Sequence, residues 1–200
     1  VVAISLDVPA EQDPTDIVRD FARDLGRQYG GRFGEHWVEL PNPLDGIRRV
    51  RLNLPKDREA SLGALWCLVA VNLWCLRRAR RMRRGYPPIY RAVCYEPEPV
   101  GQEVWQSIPA MYQRGVGDCE DLTCARVAER IAVGDACRPA LKPQRRPNGS
   151  ILYHVVIENP DGTIEDPSKP LGMNFGADPN AAADTIPRCR PAARKPQQGR

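Results

Sequence analysis

The stretch from Ser61 to Leu76, SLGALWCLVAVNLWCL, constrains this chain more than any other. It is almost unbroken apolar sequence, and the arginine-dense RRARRMRR follows it directly. A membrane helix with a positively charged flank has this pattern. The run is 16 residues long, short of the ~20 that cross a bilayer, and Asn72 interrupts it. A buried helix that begins near Asp57 and ends in solvated arginines accounts for the same letters, because cations favour a helix C-terminus. The expectation is therefore a core helix and no membrane span. The arginine cluster (Arg77, Arg78, Arg80, Arg81, Arg83, Arg84) reads first as a solvated face, with contact to nucleic acid or an acidic partner as the alternative.

A chain built around such a helix needs enough apolar sequence elsewhere to cover it. With 42% hydrophobic and 27% charged residues, the 200 residues suffice for one ordinary domain with additions. The 20 prolines and 16 glycines stay below the level of a disordered or collagen-like chain. A net charge of +4 is too mild to imply nucleic acid as a specific partner. Seven cysteines at irregular spacings argue against a disulfide framework and fit a reducing compartment. The opening VVAISLDVPAEQDPTD lacks the pattern of a secretory signal.

The local signals define three segments. In residues 1–55, Val2 to Val8 reads as a strand, and Asp13-Pro14 opens a helix whose apolar face is Ile17, Phe21 and Leu25. Two strands follow, His36 to Leu40 and Ile47 to Leu54, making a small N-terminal α/β extension. Residues 56–176 hold the long helix and a proline-rich connector from Gly85 to Pro99. They continue with a short helix over Val104 to Arg114 and a glycine-led helix after GVGDC, stopped by Gly134. Antiparallel strands complete the segment at Ala136 to Leu141, Ile151 to Glu158 and Thr163 to Asp166, the last two joined by the turn NPDG. Residues 177–200 shift to Ala, Pro, Arg and Gln and read as an extended tail.

Three residues on these elements can carry chemistry. Cys119 begins a helix, where exposed amide groups favour a thiolate. His154 lies within a strand, and Asp166 closes its hairpin partner, so the two are near cross-strand neighbours. An imidazole can take the thiol proton, and a carboxylate behind it fixes the tautomer and supports the cation. Against this, Asp118, Glu120 and Asp121 surround the cysteine with negative charge, which opposes ionisation of the thiol. Asp118 also suits an N-cap, with Asp121 in the first turn. Candidate oxyanion donors are the Cys119 backbone amide and the side chains of Gln102, Trp105 and Gln106. Cys67, Cys75, Cys94, Cys124 and Cys137 sit in contexts suited to small core hydrophobes, and His36 reads as structural. A zinc site from Cys119, Cys124, Cys137 and His154 matches no usual ligand spacing, so no metal or other cofactor is expected.

The segments GVGDCEDLT, YHVVIENPDG and TIEDPSKPLGM resemble the three catalytic motifs of the transglutaminase-like superfamily of papain-fold cysteine enzymes. The resemblance runs from about Ala60 to Phe175 and keeps the order Cys, His, Asp. It implies an α+β fold with a papain-like or transglutaminase-like core, in which the nucleophile helix packs on an antiparallel sheet. It also implies Cys119 as nucleophile, His154 as general base and Asp166 as orienting carboxylate. The implied substrate is a peptide or a peptidoglycan amide. The local sequence is similar to small members encoded by bacteriophages and prophages. That implies a site of action in the host bacterial cytoplasm or the virion, with other phage structural proteins as partners. The cysteine is followed neither by the Trp of animal transglutaminases nor by the Ser-Gly of one class of peptidoglycan cysteine peptidases. Two other roles use the same residues: a virion structural or assembly protein that keeps the fold without turnover, and a toxin-like deamidase.

Overall fold

The computed structural model describes residues 12–29, 33–41, 47–55, 58–98, 104–145, 149 and 151–173. The expectations for Val2 to Val8, Gln102, and the tail from residue 177 lie outside the described residues. The fold is α+β.

The chain enters through α1 (Pro14–Tyr29). Asp13 caps it by accepting the Thr15 N–H at 2.8 Å, and this bond holds the Asp13 carboxyl below its usual range. Val18, Phe21 and Leu25 on one face are buried. Strands β1 (Phe33–Pro41) and β2 (Ile47–Pro55) form an antiparallel hairpin in register from Phe33↔Pro55 to Pro41↔Ile47.

Helix α2 (Arg58–Arg81) is 24 residues long, so it takes in the first arginines of the cluster as well as the apolar run. By length and composition it is able to cross a membrane, yet 72% of its most apolar window is buried inside the protein. The buried Asn72 has a structural task there. Its Oδ1 accepts the Ile108 N–H at 2.8 Å, satisfying a donor at the start of the short helix Ile108–Arg114.

Residues expected as a connector and one helix fold differently. Helix α3 (Ile89–Ala92) and strand β3 (Cys94–Tyr95) lie inside the proline-rich connector, and β4 (Val104–Gln106) precedes α4 (Ile108–Arg114). A single helix over 104–114 would put Pro109 in its interior, where it removes a hydrogen bond and clashes with the preceding turn. The helix instead starts at Ile108 with Pro109 in its first turn. The single turn of α3 is held from outside, because Glu129 accepts the Ile89 N–H at 2.9 Å.

After β5 (Val116–Gly117) come α5 (Cys119–Ile131) and the strands β6 (Arg138–Arg145), β7 (Ile151–Glu158) and β8 (Ile164–Glu165). The sheets have the orders β2-β1-β4, β3-β5 and β6-β7-β8. Strand β4 runs parallel to β1, with Val38 opposite Trp105 and Glu39 opposite Gln106. The N-terminal extension and the rest of the chain therefore share a sheet. They also share a core, in which Val18, Phe21 and Leu25 of α1 meet Leu65 and Leu68 of α2, Val127 of α5 and Ile157 of β7. A second cluster of Ile89, Ile108, Met111, Leu122 and Leu171 fixes the other side of α5. Helix α5 is thus clamped between two apolar clusters, with its first residue at one end of the clamp.

Candidate active site

The turn before α5 uses its two glycines for different reasons. Gly115 ends α4 in the left-handed region (φ 79°), its N–H bonded to the Met111 carbonyl at 2.8 Å. Gly117 has no such backbone need. A Cβ there would lie 2.8 Å from Met111 Sδ and 3.1 Å from Asp121 Cβ, so close packing excludes a side chain. Asp118 then caps α5, accepting the Asp121 N–H at 3.2 Å. Cys119 is the first helical residue.

Helix α5 meets β7 at the strand's edge. Thr123 Oγ1 donates to the Val155 carbonyl at 3.1 Å, and the Val155 N–H donates to the Cys119 sulfur. The N–H and C=O of one strand residue point to the same side. Cys119 and Thr123, four residues apart on one helix face, therefore occupy the side of Val155 where a further strand would bond. Strand β8 leaves that side open because it pairs only with Ile157 and Glu158.

His154 precedes Val155 and is 3% exposed. Its Nε2 lies 3.0 Å from Asp166 Oδ2. The other Asp166 oxygen accepts the Ser168 N–H at 3.2 Å, and Lys169 Nζ stands 3.8 Å from Oδ2. The structure thus brings His154 and Asp166 into direct contact and sets Cys119 against the neighbouring residue of the same strand.

The thiol itself is held neutral. Burial pushes the Cys119 thiol far above its ordinary range, and the charges of Glu120 and Asp118 push it further. Its Sγ donates to Glu120 Oε2 at 2.9 Å, which also favours the protonated form. The Val155 N–H acts in the opposite direction. At this helix start, burial and acidic neighbours outweigh the amide groups on which a thiolate was expected.

Two of the candidate side-chain oxyanion donors, Gln106 and Trp105, are engaged elsewhere. Gln106 donates its backbone N–H to Asp121 Oδ1 at 2.6 Å and its carboxamide to Oδ2 at 2.8 Å. Trp105 is buried in the main core beside His36, ring centroids 5.4 Å apart. Gln102 lies outside the described residues. Cys67, Cys75 and Cys124 are free and buried, and burial pushes the Cys67 thiol up to about 12. Cys124 turns to the Leu65 carbonyl at 3.4 Å. Cys94, read as a simple core hydrophobe, is disulfide-bonded. Among the described residues no three His, Cys, Asp or Glu side chains gather to hold a metal ion.

Sequence reasoning missed two parts of the site. Tyr95 of β3 is half-buried, and burial together with the nearby charges of Asp118, Glu120 and Asp166 lifts its phenol to about 12. It therefore stays protonated, a potential hydrogen-bond donor near this acidic group. Nothing in the proline-rich connector marks it. The second part is a brace on Glu165, the residue before Asp166. Glu165 Oε1 accepts from Tyr90 at 2.6 Å and from Arg126 at 3.0 Å, and Oε2 from Arg130 at 3.0 Å. The brace ties α3 and the second half of α5 to the hairpin that carries His154 and Asp166. The spacing of Arg126 and Arg130 on one helix face was its sequence signal.

Comparison with known proteins returns no matching family model, no matching curated protein and no matching solved structure.

Proposed function

We propose that this chain is a transglutaminase-like cysteine hydrolase with a papain-like core, acting on peptide or peptidoglycan amide bonds. The observation that carries the reading is the 3.0 Å contact of His154 with Asp166, beside the strand residue whose N–H meets Cys119. Nε2 faces Asp166, which assigns the proton transfer to the other ring nitrogen, Nδ1. In the proposed cycle the Cys119 thiol leaves Glu120 and gives its proton to His154 Nδ1. The thiolate adds to the amide carbonyl, and the imidazolium returns the proton to the departing amine as the C–N bond breaks. Water, deprotonated by His154, then cleaves the thioester and regenerates the thiol. Asp166 stays ionised and supports the imidazolium between these steps. Tyr95, a neutral donor near the same acidic group, supplements the Cys119 amide as a candidate for the oxyanion.

The test is alkylation by iodoacetamide from pH 5 to 9 with mapping of every cysteine, in wild type and His154→Ala. Selective labelling of Cys119 that vanishes in the variant supports the reading. Labelling at the rate of an ordinary thiol, unchanged by the variant, removes it.

A second reading has its own observation. The Cys119 thiol is bonded to Glu120 and held neutral by burial and two acids, as suits a bacteriophage virion or assembly protein that keeps the fold without turnover. On that reading Cys119→Ala leaves particle assembly intact, and deletion of residues 177–200 impairs incorporation.

A further inference from the structure

The arginine-rich end of α2 has features that a merely solvated helix end does not need. Residues 76–95 contain seven arginines and no acid. Without those seven positive charges the chain's net charge of +4 would become −3, so this segment is a major source of the protein's basic character. Arg80, Arg83, Arg84 and Arg91 are exposed, and they form no ion pair among the described residues. Arg78 lies over the Trp74 ring, 5.3 Å from its centroid, which anchors the base of the cluster.

The end of the helix is unusual. The Arg84 N–H bonds to the Ala79 carbonyl at 2.9 Å and the Arg83 N–H to the Arg80 carbonyl at 3.0 Å. This pair of bonds is the Schellman motif, whose left-handed position ordinarily belongs to glycine. Here it holds Arg83 at φ 53°, the one non-glycine residue with positive φ among those described. An arginine at this position destabilises the turn relative to glycine. A residue kept against its backbone preference points to a use for its side chain. Beside the cluster, Tyr86 and Tyr112 set their rings 5.4 Å apart, and Tyr86 feels the charge of Arg84. Half-buried aromatic rings flanking an arginine patch suit bases next to a phosphate backbone better than they suit a carboxylate-rich protein.

We infer that the C-terminal end of α2, with Arg80, Arg83, Arg84 and Arg91 beside Tyr86, is a nucleic-acid-binding surface that contacts backbone phosphates. It is independent of the chemistry at Cys119.

The experiment is fluorescence anisotropy of the full chain with labelled 20-nucleotide DNA, single-stranded and duplex, across about 50–200 mM salt. The expected result is salt-dependent binding that the Arg80→Gln/Arg83→Gln/Arg84→Gln variant weakens at least tenfold at the lowest salt. The slope of log affinity against log salt should fall in magnitude by about 0.7–0.9 for each phosphate that the variant no longer neutralises. A second variant separates binding from folding. Arg83→Gly should melt no lower than wild type and still bind more weakly. Unchanged binding in the triple variant overturns the inference, since the basic tail would then be the binder. Competition by polyglutamate or by phosphatidylglycerol vesicles as effective as that by DNA, at equal charge, also overturns it.

Discussion

Asp166 meets His154 on the diagonal of the β7–β8 hairpin. Glu165 pairs with Ile157, so one further step of the register sets Asp166 opposite Val156, two residues from His154 on the same face. The 3.0 Å contact to Nε2 spans that offset. Asp166→Asn keeps the shape and removes the charge that supports an imidazolium. On the proposed mechanism, His154-dependent alkylation of Cys119 should fall about 100-fold or more. The thermal unfolding temperature should move little. A rate within about threefold of wild type would leave Asp166 without a part in the chemistry.

The parts of this arrangement that were legible in the sequence are those set by local chemistry. Asp118 as a cap, Cys119 at the helix start and the NPDG turn each follow from the preferences of a few adjacent residues. The turn keeps Gly162 at φ 81° and bonds the Asn159 N–H to the Thr163 carbonyl at 2.9 Å. What was not legible depends on distant partners. Strand β4 exists because β1 lies beside it, and α3 because Glu129 holds its first N–H. The state of the Cys119 thiol was only half legible. Its acidic neighbours are adjacent in sequence, but its burial and the Val155 N–H arise from packing against β7. Pro109 was the readable clue that was missed at β4.

Glu120 is expected to restrain the nucleophile. Its carboxylate takes the Cys119 hydrogen bond at 2.9 Å and raises the cost of ionising the thiol. Glu120→Gln removes the charge and keeps the size. The thiolate should then form at lower pH, and iodoacetamide labelling of Cys119 at pH 7 should rise about tenfold for each unit by which the thiol pKa drops. The pH–rate profile measures the shift directly. A profile superimposable on wild type would mean that burial and Asp118, without Glu120, keep the thiol protonated.

Gly117→Ala tests the close packing beneath the turn. The added methyl would lie 2.8 Å from Met111 Sδ and 3.1 Å from Asp121 Cβ, and Met111 is wholly buried. Relieving the overlap must displace Met111 or the start of α5. Chemical denaturation should show a loss of about 1–3 kcal/mol, the usual cost of overpacking. Met111→Ala in the same chain makes room for the methyl. The double variant should therefore lose less stability than the two single losses added together, and simple additivity would place the strain somewhere else.

Asp121 gives the sharpest test of the site's electrostatics. Burial, with Asp118 and then Glu120 as charged neighbours, raises its carboxyl well above the ordinary range, and the bonds from Gln106 only partly offset this. A carboxyl whose pKa is higher in the fold than in the unfolded chain adds stability below its unfolded pKa, near 4. That contribution is lost as pH rises towards the folded value. Asp121→Asn cannot ionise. Its new N–H₂ would face the Gln106 carboxamide, whose Oε1 is now buried without a partner, and a flip of that amide restores the pairing. The variant should unfold at a temperature equal to or above wild type at pH 7, with the difference shrinking towards pH 4. Asp121→Leu leaves both Gln106 donors unpaired in the core and should cost about 1–3 kcal/mol for each donor stranded. Thermal melts of the three proteins at pH 4, 5.5 and 7 decide the matter. A wild type that gains stability over Asp121→Asn as pH rises would mean that Asp121 is held as a carboxylate, stabilised by Gln106 more than burial and its acidic neighbours oppose it.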